Sequence, residues 1–249
     1  MDHIAIIGKM CSGKTTLANA INKNIYENKG CITSFAGPIK EIYENRELLS
    51  SYIVGTKEPL SLDNVNVLVD RSKSLIEHEP FMNILKRLDD ELKDGDKPRK
   101  HYQFIGDFFK TVYGKEFWAK KLFDDFDRIE SLDRTLGGDI QALIIDDLRM
   151  NIEYETINSR KENFIILCLE VNEDYRREII KNLKHGDEST FNHNSEIEVD
   201  EIISEIKAVS YENMYSYDND KRMITIHSTK GSINKKILKD IISVISTID

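Results

Sequence analysis

Eight residues near the start of the chain, Gly8-Lys9-Met10-Cys11-Ser12-Gly13-Lys14-Thr15, have the spacing G-x-x-x-x-G-K-[ST], and Thr16 follows them. Two glycines allow a tight backbone turn that aims N–H groups at an anion. A helix starting near Gly13 adds the positive end of its dipole. Lys14 is then placed to reach the β- and γ-phosphates of a nucleoside triphosphate, and the Thr15 hydroxyl to ligate magnesium. The motif also has the context it needs. Ile4-Ala5-Ile6-Ile7 reads as a buried strand before it, and Leu17, Ala20, Ile21 and Ile25 recur on one helical face after it. The expected ligand of Gly8 to Thr16 is ATP with Mg²⁺, and Lys14 is the expected catalytic cation.

Other residues of suitable chemistry sit at the ends of apolar runs. Asp146 and Asp147 close the run Ala142–Ile145, the position of an acid that serves magnesium. Side chains alternate along a strand, so one of the two faces the loop and the other turns away. Arg149 and Glu153 follow, with Glu153 spaced either to pair with Arg149 or to cap the next helix. Arg176 and Arg177 come after the apolar run Phe164–Leu169. They can close over a triphosphate as lid cations or lie on a solvated helix face. Ser195-Glu196-Ile197-Glu198 fits a helix-capping box, and His193 has no partner at metal-ligand spacing.

The elements that must position these groups are those of an α/β fold. Five segments are short, apolar and β-branched: Ile4–Ile7, Cys31–Phe35, Ala142–Ile145, Phe164–Leu169 and Met223–Ile226. Helical patterns separate them, which predicts a five-stranded, mostly parallel sheet flanked by helices. A final helix is predicted from the stripe Ile233, Ile237, Leu238, Ile241, Val244, Ile245 and Ile248. The whole chain, 1–249, reads as one domain. Its core spans about 1–40 and 140–249, a helical substrate-binding insertion about 41–139, and a lid about 175–195. A hydrophilic break falls at residues 93–98, and a polar loop at about 184–194.

Composition narrows the function classes. A net charge of −9 over 249 residues argues against a broad nucleic-acid surface. No apolar run is long enough to cross a bilayer, and the first strand begins by the third residue. Cys11, Cys31 and Cys168 show no metal-like clustering. The expectation is a cytoplasmic protein with a small nucleotide as partner, neither nucleic acid nor membrane, with a homodimer left open. A GTPase would need D-x-x-G and N-K-x-D motifs, which the chain lacks.

Four further segments resemble phage-type deoxynucleoside monophosphate kinases of the P-loop superfamily. Phe35-Ala36-Gly37-Pro38-Ile39-Lys40 is similar to their F-A-x-P-[IL]-K. Arg99 to Gly106 with Trp118 resembles R-x-x-x-Q-x-x-G…W. Asp147-Leu148-Arg149 with Glu153 resembles D-[VL]-R-x-x-x-E, and His193-Asn194-Ser195-Glu196 resembles H-x-S-E. The resemblance runs from the first strand to the last helix, although Thr15 stands where the family often has Asp and Lys110 is nearest to an expected Arg. It implies a P-loop kinase fold and ATP-dependent phosphorylation of (deoxy)nucleoside monophosphates. It also implies Asp147 as the metal-side acid beside Thr15, Arg176 and Arg177 as lid cations, and an acceptor pocket of Phe35, Lys40, Arg99, Gln103, Trp118, Asp147, Arg149 and Glu153. Within that pocket Arg99 grips the acceptor phosphate. The rival readings are a dephospho-coenzyme A kinase, which would need Asp146 or Asp147 as a base, and a non-catalytic ATP-binding module.

Overall fold

The computed structural model describes residues 1–45, 81–91, 98–182, 194–206, 215–218 and 223–228, together with 239, 241 and 243. The chain divides into two compact units, Met1–Phe35 with Leu122–Asp249, and Ala36–Lys121.

The first unit is built on a six-stranded sheet ordered β2-β3-β1-β4-β6-β5. The strands are β1 (Asp2–Ile7), β2 (Gly30–Thr33), β3 (Ala142–Leu148), β4 (Phe164–Val171), β5 (Tyr215–Asp218) and β6 (Met223–Ser228). All five expected strands are present and mutually parallel, and β5 runs antiparallel at the edge beside β6. The central strands are apolar on both faces because helices cover both: Ile4 to Ile7 and Ala142 to Ile145 are fully buried. β5 escaped the sequence reading because Tyr-Ser-Tyr-Asp is short and carries no apolar run, as suits an edge. β2 ends at Thr33 rather than Phe35, whose N–H leaves the ladder for the Asp147 carboxylate.

Helix α1 (Lys14–Asn24) lays Leu17, Ala18 and Ile21 into a core shared with Ile4, Ile6, Ile144 and Leu167. The chain leaves β1 through α1, passes β3 to reach β2, returns to β3, then crosses to β4 on the other side of β1. In open parallel sheets, ligand crevices form at the carboxyl ends of strands where the winding reverses in this way. The carboxyl ends of β1, β3 and β4 therefore matter most.

In the second unit, α2 (Gly37–Glu44) and α3 (Phe81–Glu91) pack on α4 (Arg99–Tyr113), and α5 (Phe117–Leu136) begins there. Its interior is aromatic, with Phe108, Phe109 and Trp118 buried beside Ile42, Leu85 and Ile105. The unit thus spans 36–121, and α5 from Leu122 onward belongs with the sheet, where Leu122, Phe123 and Phe126 are buried. Helices α6 (Asn151–Ser159), α7 (Glu173–Asn182) and α8 (Asn194–Ile206) also belong to the first unit. Most of the lid loop and of the final helical stripe lies outside the described residues, as do His193 and the 93–97 part of the hydrophilic break. Ile241 is described and is buried in the sheet's core. No helix among the described residues is long and apolar enough to cross a membrane.

Candidate functional site

The loop after β1 is shaped by two glycines for two different reasons. A Cβ on Gly8 would sit 2.7 Å from the Leu169 carbonyl and 2.8 Å from Ser12 Oγ, so the space admits only hydrogen. Gly13 has φ 92°, a left-handed conformation that glycine adopts without strain, and it forms the N-cap of α1. The first-turn amides that follow have no partner within their own helix and form the positive end of its dipole. Ser12 Oγ is buried with no hydrogen-bond partner, a polar group that a ligand oxygen would satisfy.

Lys14 lies inside this cradle, 6% exposed. Its Nζ donates to the carbonyls of Gly8 and, at 2.8 Å, Lys9. Burial, then the nearby Arg149 guanidinium, push its ammonium down to about 7, against the opposing pull of Glu196, Asp147 and Asp146. A desolvated cation beside another cation is a group that an anionic ligand would stabilise.

The Thr15 hydroxyl donates to Asp146 Oδ2 at 2.6 Å. The structure therefore brings Asp146, not the expected Asp147, to the threonine. Alternation leaves the choice open and the resemblance favours Asp147; the ladder also slips here. Ala5 pairs with Ile145 but Ile7 with Leu148, so Asp146 and Asp147 together oppose Ile6. An extra residue in one strand resets which way its neighbours point. Asp147 still influences Lys14 electrostatically, and its Oδ1 accepts the Phe35 N–H at 2.6 Å. It holds the turn after β2, while the Phe35 ring is buried edge-on to Phe123.

Glu153 caps helix α6: its Oε2 accepts the N–H groups of Arg149 (2.9 Å) and Met150 (3.0 Å). Burial, then the Asp147 carboxylate, push its carboxyl up to about 8. Of the two arginines on α7, Arg176 is buried and donates to the Met10 carbonyl at 3.3 Å. Arg177 instead pairs with Glu173 one turn back on an exposed face, at 2.8 and 2.5 Å.

The remaining expected site residues fall in the helical unit. Lys40 and Gln103 are exposed on α2 and α4. Arg99 is the first residue of α4. Trp118 is buried, donates its indole N–H to the Gly106 carbonyl at 3.0 Å, and packs against Phe109 and Phe117. The G…W spacing of the motif is thus a packing device within this unit.

Sequence reasoning missed Glu196 as a site residue. Its carboxylate is 4% exposed and accepts the Met10 N–H at 2.9 Å. Glu198, the acidic end of the expected capping box, accepts the Asn151 N–H at the start of α6, at 2.9 Å. One signal could have found this. Glu196 and Asp200 are one turn apart, and Asp200 meets Lys9 at 2.6 Å, so α8 turns an acidic edge to the loop. No protein-family model matches the chain, and no curated protein matches it.

Proposed function

We propose that the protein is a P-loop kinase that transfers the γ-phosphoryl group of ATP to a (deoxy)nucleoside monophosphate. The observation that carries the proposal is the 2.6 Å contact between Thr15 and Asp146, which joins the loop to the strand-end acid directly beside buried Lys14. A threonine hydroxyl and one carboxylate, with phosphate oxygens and water completing the shell, suit magnesium, which keeps most of its own waters. Among the described residues there is no group of three or more His, Cys, Asp or Glu that would hold a metal without such help. Thr15 and Asp146 would hold the ion, and its chemistry is to neutralise charge on the β- and γ-phosphates.

The chain's own part is positioning and charge. Lys14 exchanges the Gly8 and Lys9 carbonyls for phosphate oxygens, and the first-turn amides of α1 cradle the same group. An oxygen of the acceptor phosphate attacks the γ-phosphorus as the bond to the β-bridging oxygen breaks, and ADP leaves with that electron pair. The acceptor is already ionised near neutral pH, so no side chain has to remove a proton. This suits a loop whose two nearby aspartates serve as acceptors for Thr15 and for the Phe35 amide.

The acceptor side rests on the sequence motif that Arg99 begins. Arg99→Ala should raise the acceptor KM and lower kcat while the KM for ATP stays nearly constant. The expected loss is about 2–4 kcal/mol in kcat/KM, as for charge-assisted hydrogen bonds broken in a closed site. Arg99→Lys should recover only part of it, because a point charge replaces a two-pronged donor. Acceptor kinetics untouched by both variants would remove this contact.

A further inference from the structure

Helix α8 meets the loop through carboxylates. Glu196 Oε1 accepts the Met10 N–H at 2.9 Å, and its Oε2 lies 3.3 Å from Arg176 Nη1. The same Arg176 nitrogen donates to the Met10 carbonyl at 3.3 Å, and Arg149 Nη1 stands 4.0 Å from Glu196 Oε1. Met10 is therefore held at both its N–H and its carbonyl by an ion pair whose two side chains are each under 5% exposed. One turn further on, Asp200 takes the Lys9 ammonium.

An apolar contact could brace a loop with no desolvation cost, so bracing alone gives no reason to bury an arginine and a glutamate. What the pair provides is a fixed guanidinium against the loop. Lys14, Arg149 and Arg176 all converge on the Gly8–Gly13 turn, and without a counter-charge they would repel one another. Lys14 already feels Arg149 as a repulsion and Glu196 as its leading attraction.

We infer that Glu196 is a positioning residue: its carboxylate fixes Arg176 against Met10, so that a guanidinium stands ready at the loop before nucleotide phosphate arrives. The inference rests on the kinase reading for its catalytic consequence, but not for the positioning itself. In turnover, the consequence is charge placed in advance for the transferring phosphoryl group.

The test compares Glu196→Gln and Glu196→Asp with the wild-type chain by three readouts. The first is the guanidinium Nη–H nuclear magnetic resonance signal of Arg176, assigned by its loss in Arg176→Lys. The second is the affinity for a fluorescent methylanthraniloyl ATP analogue, and the third is acceptor-dependent turnover. Glu196→Gln keeps an oxygen for the Met10 N–H but not the charge. It should make the Arg176 proton exchange with water at least tenfold faster and lower kcat at least tenfold. Affinity for the analogue should stay within threefold or tighten, because a negative charge has left an anion site. Glu196→Asp should restore part of kcat. Should Glu196→Gln fail to fold, Glu196→Asp, which keeps the charge and shortens the reach, carries the same readouts with smaller shifts. An Arg176 signal unchanged in the folded variants would overturn the inference, as would analogue binding weakened more than tenfold with kcat intact. A wild-type chain that turns over no acceptor would sink the kinase reading instead, and the Arg176 signal and analogue affinity would still decide the positioning claim.

Discussion

Around the carboxyl ends of β1, β3 and β4, Lys14, Glu153, Arg176 and Glu196 are all buried, each held by backbone groups or by an opposite charge. The helical unit is organised in the opposite way. Among its described residues, the pairs Lys100–Glu91, Lys110–Asp107 and Lys120–Glu116 involve largely exposed side chains, the interior is aromatic, and the one buried ionisable group is His101, 3.0 Å from Asp89. Burying charge is costly unless it is paired, and paired burial is often no more stable than apolar packing. A chain that builds one unit from rings and methyl groups is able to avoid buried charge. That it accumulates such charge at one end of the sheet marks that end as serving something other than stability.

If the contrast is real, substitutions in the two regions should fail differently, and Lys14→Ala should do so most clearly. It should cost about 3–4 kcal/mol in transition-state stabilisation, a few hundredfold in kcat, while the thermal transition stays in place. A folded variant with unaltered turnover would remove the loop from the chemistry. Next in size is the aspartate pair: Asp146→Asn should weaken the magnesium dependence of turnover by roughly 10–100-fold, and Asp147→Asn by less. Magnesium titration of both variants checks the ranking, and the reverse order would return the metal side to Asp147.

The helical unit should answer in stability. Trp118→Phe removes the indole N–H that reaches Gly106 and part of a buried ring, an expected loss of about 1–2 kcal/mol in urea unfolding. A change in kcat larger than the change in stability would give Trp118 a role the packing does not assign.

The remaining effect is a pH slope and not a fixed loss. The Glu153 carboxyl sits near 8 in the fold and near 4.5 when unfolded. Between those values the folded state holds a proton that the unfolded state has released, so stability falls as pH rises from about 4.5 through 8. Glu153→Gln should therefore flatten the decline in urea midpoint from pH 5 to pH 8, losing least, relative to wild type, at the alkaline end. An unchanged slope would show that Glu153 is ionised in the fold.

The same contrast explains what the sequence made legible. The five parallel strands were readable because burial on both faces requires unbroken β-branched runs such as Ile4–Ile7 and Phe164–Leu169. The turn and the helix start after β1 were readable because both glycines and the first helical residues lie within eight consecutive positions. The contact of Asp146 with Thr15 was not legible, because alternation leaves open which aspartate faces the loop and the slip opposite Ile6 depends on a neighbouring strand more than a hundred residues away. Glu196 ends the H-x-S-E resemblance but was given no role there, because its partners Met10 and Arg176 are brought to it only by the fold. For Trp118 the resemblance implied a ligand contact while its residue type pointed to core packing, and its indole is satisfied by Gly106.

Acceptor-dependent ADP release tests the central claim most directly, measured with wild-type and Lys14→Ala protein across the common ribo- and deoxyribonucleoside monophosphates and dephospho-coenzyme A. The account predicts magnesium-dependent release in the wild type with at least one monophosphate, little with dephospho-coenzyme A, and a few-hundredfold loss in Lys14→Ala. Release with dephospho-coenzyme A alone, or ATP binding with no acceptor-stimulated release at all, would contradict it.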